Sequence, residues 1–244
     1  MEKYNKELNY SYSFGTFPTY ELVNNMPQNC IKIVFHSALK DSSDILKLKE
    51  LLSKNNIPFE YNDKFINKVR DKDSILTVGI FKKYTQSLDP NKNHLVLHNP
   101  SDFGNVGTIV RTALGFGFNN IALIKPCADI FNPKTIRASM GSVFSSNIEL
   151  FDSFEDYLKK NNQNRTFYPF MLKAKTTLQE LSVESLQEQK ISLIFGNESS
   201  GLDDKFLELG TPIKINHSNK IDSLNLCNSV SIAIYEFDKL LQRR

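Results

Sequence analysis

The strongest constraint on the fold is a rhythm in the second half of the chain. Short apolar runs, Leu95-Val96-Leu97, Ile121-Ala122-Leu123-Ile124, Phe167 to Leu172, Ile191 to Phe195 and Pro212 to Ile215, alternate with stretches of helical spacing. Runs this uniformly apolar read as strands covered on both faces, and strand–helix alternation builds a parallel sheet. The last helix is the clearest, because Leu226, Val230, Ala233, Phe237 and Leu240 recur at steps of four and three in one apolar stripe. Asp222 or Ser223 is its expected N-cap. The expected class is therefore α/β with a mostly parallel sheet.

The same alternation runs, more compactly, before a polar stretch at Thr85–Asn93 that contains Pro90. Tyr20 to Asn25 and Asp44 to Leu52 are the expected helices there, and Ile31 to Phe35, Pro58 to Tyr61 and Ile75 to Ile80 the expected strands. This reading divides the chain into a small α/β domain at 1–88, a linker at 89–93 and a second domain at 94–244. With 244 residues there is enough chain for a substantial core.

Charge and cysteine usage exclude more than they assign. The net charge is only +3 and is spread over both halves, so charge permits an RNA partner without arguing for one. Three scattered cysteines, Cys30, Cys127 and Cys227, form no CxxC pair and read as reduced thiols. His94 and His98 flank a strand-like run, and no metal site is expected. No apolar run approaches the ~20 residues of a membrane span, and the first residues lack a signal-peptide core, so a cytoplasmic location without membrane contact is expected.

Three polar islands follow the apolar runs. The first, Asn99 to Arg111, reads as strand, Gly-containing loop and helix, and lacks both G-x-G-x-x-G and G-x-x-x-x-G-K-[ST]. It is either an ordinary turn relieved by Gly104 and Gly107, or a phosphate clamp with Arg111 one turn in from the loop, pointing back. In the second island Gly196 and Gly201 bracket Asn197-Glu198-Ser199-Ser200. Glu198 either caps a following helix or belongs to a loop whose backbone approaches a ligand. In the third, Asp222-Ser223-Leu224-Asn225 heads the last helix. Ser223 is either a plain cap or part of a ligand site at a helix N-terminus.

Together, Asn105-Val106-Gly107-Thr108-Ile109-Val110-Arg111-Thr112-Ala113, Phe195-Gly196-Asn197-Glu198-Ser199-Ser200-Gly201-Leu202 and Ser223-Leu224-Asn225-Leu226 resemble the three motifs of the SpoU (TrmH-type) RNA methyltransferases. The likeness runs from about residue 94 onward and includes Lys134 to Gly141, which resembles the family's linker helix region. Gly15 to Leu22 resembles, less specifically, a ribosomal-protein-like substrate-binding domain. The resemblance implies a trefoil-knotted SPOUT domain in which the segments around the second and third islands thread through one another. It implies a homodimer, with the last helix in the interface. It also implies S-adenosylmethionine bound in the knot by Gly196, Asn197, Gly201, Ile215 and Leu224. The family often has Pro-Met after the residue matching Ile215, where Asn216-His217 stand here, and many members have a shorter approach than Asp102-Phe103-Gly104.

The implied reaction is methyl transfer to a ribose 2′-hydroxyl in RNA, with Asn105, Arg111, Glu198, Ser223 and Asn225 as catalytic residues. A guanidinium stays protonated in proteins, so Arg111 is expected to hold a phosphate and polarise the hydroxyl while phosphate or water takes the proton. Asn105, Ser223 and Asn225 would orient ribose and Arg111, and Glu198 would fix Arg111 or a backbone turn. The front domain would choose the RNA. Tyr10, Tyr12, Phe14 and Phe17 offer stacking surface if they are not core, and Lys82 and Lys83 are phosphate contacts or solvated charges. Ribosomal RNA (23S) is the expected substrate; transfer RNA, or an RNA-binding dimer without catalysis, are the alternatives.

Overall fold

The computed structural model describes residues 2–183 and 190–242. Contacts divide the chain into two compact units, Met1–Thr85 with Asp129–Ser145, and Gln86–Ala128 with Ser146–Arg244. The division falls a few residues before the expected linker, and 129–145 leave the second stretch of chain to pack with the first unit.

The first unit runs β1 (Tyr10–Phe14), α1 (Thr16–Asn25), β2 (Cys30–Phe35), α2 (Ser43–Lys54), β3 (Phe59–Tyr61), α3 (Asp63–Val69) and β4 (Thr77–Lys82). Its sheet has the order β1-β4-β2-β3, with β4 antiparallel to both neighbours and β3 parallel to β2. Ser42 and Asn62 begin α2 and α3 by accepting the Ile45 and Phe65 N–H groups. Both sheet faces are covered: Tyr12, Phe14, Val34 and Ile66 form one cluster, and Val23, Ile33, Leu48 and Leu52 another.

This corrects the aromatic stacking surface. Tyr12 and Phe14 are core residues of β1, a strand the sequence reading left out, whereas Phe17 is 53% exposed. Lys83 is spent internally, donating to the Lys6 carbonyl at 2.7 Å and lying over the Tyr4 ring. The expected helix at Tyr20 starts earlier, at Thr16, and the strand expected from Ile75 starts at Thr77.

The second unit opens with β5 (His94–His98), α4 (Phe103–Gly115) and β6 (Asn120–Ile124). The chain then contributes α5 (Pro133–Ala138) to the first unit before returning as β7 (Asn147–Phe151), α6 (Phe154–Asn161) and β8 (Arg165–Pro169). The remaining elements are β9 (Thr176–Thr177), β10 (Lys190–Phe195), β11 (Ile213–Lys214) and α7 (Leu226–Gln242). Five strands form a wholly parallel sheet in the order β7-β6-β5-β10-β8. No helix among the described residues is long and apolar enough to cross a membrane.

Three expectations shift here. The strand expected at Phe167–Leu172 is Arg165–Pro169; Phe170 still donates to the Ile194 carbonyl at 2.8 Å but bridges Ile213 instead of extending the sheet. The one expected at Pro212–Ile215 shrinks to β11, which pairs with β9 outside the main sheet. Strand β7 escaped notice because it is an edge with Glu149 at its centre; that carboxylate accepts from the Leu88 N–H and from Lys160.

The apolar stripe of α7 faces inward, with Val230, Ala233, Ile234 and Phe237 fully buried. Phe237 meets Tyr168 of β8 with ring centroids 4.9 Å apart. Each large side chain buried this way stabilises the fold by roughly 1.5–3 kcal/mol. That stripe is therefore unavailable as a dimer face. At the amino-terminal end of the sheet, buried His94, Tyr157, Ser192 and Arg165 form one polar network. The Asp89 carbonyl can only accept, so His94 Nε2–H donates to it at 2.8 Å and Nδ1 accepts from Tyr157 Oη at 3.0 Å.

Candidate active site

The strand order reverses direction between β5 and β10: β6 and β7 follow on one side of β5, and β8 lies beyond β10 on the other. In open α/β sheets such a switch point opens a crevice outside the carboxyl ends of the strands. The first island leaves β5 at this crevice and the second leaves β10.

Hydrogen bonds tie the two islands together. Asn197 Nδ2 donates to the Asn99 carbonyl at 2.7 Å, while its Oδ1 accepts from Ser199 N–H and Oγ at 2.9 and 2.7 Å. One oxygen of Glu198 accepts from the N–H and hydroxyl of Ser101 at 3.1 and 3.0 Å. The other accepts from the Asp102 N–H at 3.2 Å and Asn105 Nδ2 at 3.3 Å. Burial alone would raise the Glu198 carboxyl, but these donors more than offset it and hold it below the usual carboxylate range.

The third island joins through the same asparagine. Asn225 Nδ2 donates to Asn105 Oδ1 at 3.3 Å, and Asn225 Oδ1 accepts the Cys227 N–H at 2.8 Å. Asp102 caps α4 by accepting the Asn105 N–H at 2.7 Å. A single carboxylate, Glu198, is thus linked through Asn105 to the starts of two helices.

Above this relay lies a cleft of about 740 Å³. Gly196, Asn197, Glu198, Gly201, Ile215, Ser223 and Leu224 all line it. Its wall is backbone for a steric reason. A Cβ on Gly196 would sit 2.1 Å from the carbonyl carbon of Gly201, and Gly201 itself has φ +68°, a left-handed conformation that favours glycine. The Gly201 N–H closes the loop onto the Asn197 carbonyl at 2.9 Å. Gly196 thus serves the chain's own close approach at this loop.

Other site expectations need amending. Helix α4 begins at Phe103, so Gly104 and Gly107 are helical rather than loop residues, and Arg111 lies more than two turns in. Arg111 is exposed, lies outside the cleft lining and has no hydrogen bond or ion pair among the described residues. Glu198 fixes the turn before α4 and does not touch Arg111. The cap of α7 is Asn225, not Asp222 or Ser223.

Ser101 and Asp102 join the site through Glu198, and Asp102 is by type a preferred helix cap. His217, marked in the sequence only as part of a departure from the family's pattern after Ile215, also lines the cleft, from an irregular segment between β11 and α7. Among the described residues no group of three or more His, Cys, Asp or Glu is placed to hold a metal ion.

The model of the SpoU rRNA methylase family matches residues 92–235. An uncharacterized tRNA/rRNA methyltransferase of Synechocystis is 33% identical over 144 residues, which is 58% of this chain and 51% of the relative. The chain therefore spans about half the length of that protein. The 23S rRNA (guanosine(2553)-2′-O)-methyltransferase RlmP of Bacillus subtilis is 31% identical over 180 residues, 66% of this chain and 70% of the relative. The crystal structure of the SpoU methyltransferase AviRb from Streptomyces viridochromogenes, in complex with AdoMet, superposes with a TM-score of 0.79 at 18% identity. That match covers 97% of this chain and 92% of AviRb, a likeness of fold.

Proposed function

Because the chain belongs to the SpoU rRNA methylase family, we propose that it transfers a methyl group from S-adenosylmethionine to a ribose 2′-hydroxyl of ribosomal RNA. The observation that carries this reading is the cleft beyond the carboxyl ends of β8 and β10, walled by the Gly196–Gly201 backbone and tied by Glu198 to the first island, which leaves the neighbouring β5.

The cleft suits the cofactor in size and chemistry. Its volume of about 740 Å³ lies within the range of small-molecule sites. Phe195, Ile215 and Leu224 offer apolar surface to a flat base, and the Gly196–Gly201 loop and Glu198 offer polar groups. Gly196, Asn197, Gly201, Ile215 and Leu224 would hold it. When bound, the cofactor supplies a methyl group on a cationic sulfur that departs as a neutral thioether.

The remaining work is alignment of the hydroxyl with that methyl. Arg111, with no partner among the described residues, has its whole planar fork free to hold an RNA phosphate. It stays protonated, so the hydroxyl proton passes to phosphate or water rather than to Arg111. Ser223, on the cleft wall, and the Asn105–Asn225 pair would orient the ribose. Glu198 holds the two islands in register beneath them.

The reading includes a trefoil knot, supported by the segment after β10 and the segment before α7 lining one cleft. It includes a homodimer in the cytoplasm, supported by exposed Phe116, Ile232 and Tyr235 on and just after α4 and α7. The Phe116 and Tyr235 rings are 6.1 Å apart, a continuous apolar patch. The first unit is assigned to RNA selection.

Two measurements test the reading. Titration calorimetry is expected to detect S-adenosylmethionine binding, and no heat at millimolar cofactor would leave an RNA-binding protein without catalysis. Mapping of 2′-O-methyl sites in cells with and without the gene is expected to lose one position in ribosomal RNA. A loss in transfer RNA instead would redirect the substrate assignment.

A further inference from the structure

His217 holds a buried polar atom that the protein itself leaves without a partner. Its Nδ1 lies 3.1 Å from the Ser218 carbonyl oxygen. A carbonyl oxygen only accepts, so Nδ1 carries the hydrogen and donates it. In the neutral ring this leaves Nε2 with a lone pair, an acceptor. Nε2 is buried and has no hydrogen-bond partner among the described residues. Buried polar atoms are nearly always satisfied, and an exception points to a role or to a missing ligand. His217 lines the cleft together with Ile215, Ser223 and Leu224.

We propose that His217 is a cofactor-binding residue whose Nε2 accepts a hydrogen bond from a neutral N–H or O–H donor on the nucleoside half of S-adenosylmethionine. The inference rests on the function proposed above. A neutral acceptor suits the 6-amino group of a purine or a ribose hydroxyl. The cationic ammonium at the other end of the cofactor is better matched by a carboxylate, and Glu198, Asp203, Asp204 and Asp222 line the same cleft. The apolar side chains beside His217, Ile215 and Leu224, also suit a base more than an ammonium group.

The test uses titration calorimetry on the full chain with two probes, S-adenosylhomocysteine and 5′-methylthioadenosine. The second keeps the nucleoside and lacks the amino-acid end. His217→Phe, which keeps a flat ring and removes the acceptor, is expected to weaken both probes about tenfold, equivalent to about 1.4 kcal/mol. His217→Gln, which keeps an acceptor oxygen at the same reach, is expected to bind both within about threefold of the parent. In the absence of ligand the His217→Phe variant is expected to melt no lower than the parent, because it removes an orphaned atom.

Unchanged affinity in His217→Phe overturns the proposal. So does a loss confined to S-adenosylhomocysteine, which would put the contact on the amino-acid half. A lower melting temperature without ligand, matched by an equal loss in His217→Gln, would make His217 a packing residue and also overturn it. If the parent protein binds neither probe, it is the methyltransferase reading that fails.

Discussion

Arg111 is distinguished by what it does not touch. A surface arginine normally finds a carboxylate, yet this one makes no ion pair among the described residues. A clamp for an RNA phosphate needs that freedom and needs the planar fork, which lysine lacks. Arg111→Lys is expected to lower the methylation rate at least tenfold, about 1.4 kcal/mol of barrier. Cofactor affinity and melting temperature should stay at the parent's values. A rate close to the parent would show that a point charge suffices and that bidentate holding is not the mechanism. Glu198 shows how far single residues were legible. Its importance followed from a carboxylate bracketed by glycines after a buried strand. Its partners, Ser101 and Asp102, lie 97 and 96 residues away in sequence, and no local pattern can pair them.

Helices were legible wherever one face is apolar, and their starts were less so. The α7 stripe was read correctly from its spacing, but its cap was placed two or three residues early, because Asp222, Ser223 and Asn225 are all competent caps by type. The choice was made by tertiary structure: Asn225 reaches both the Cys227 N–H and Asn105. These two jobs can be separated. Asn225→Ala should cost about 1 kcal/mol of stability in urea titrations, through the lost cap. Asn225→Asp keeps the acceptor for the cap and discards the donor to Asn105. It should therefore retain most of the stability and still lose methylation activity. If Asn225→Asp methylates at the parent's rate, the Asn225–Asn105 bond does not orient the ribose. The first glycine-rich island was misjudged for a related reason. Gly104 and Gly107 look like loop residues, but Asp102 caps a helix that already contains them.

For the whole molecule, the parallel α/β class was legible from uniformly apolar strands, and β7, whose centre is charged, was not. The polar network under the sheet sets a stability limit in acid. Burial, aided by the nearby Arg165 charge, pushes His94 down to about 4. An unfolded histidine takes up its proton near pH ~6.5. As pH falls below that value the unfolded chain gains a proton that the folded chain refuses, so stability declines until about pH 4, by roughly 3 kcal/mol. Half-buried His98 is shifted the same way, by its burial, and adds to the slope. Urea titrations between pH 7 and pH 4.5 should show this decline, and His94→Phe should flatten most of it; an equally steep variant would assign the loss elsewhere. The cleft carries a consequence for biosynthesis. Its walls come from the segments that follow β8 and β10, and its third side from the segment before α7 with the first turn of that helix, so contacts between residues 170 and 229 must close before it exists. Such long-range closure is slow compared with helix formation. A nascent chain that has reached residue 200 already contains all five strands of the parallel sheet, yet lacks Ile215, His217, Ser223 and Leu224 of the cleft. The cleft therefore forms only after the segment before α7 has been made, once the strands beneath it are already in place.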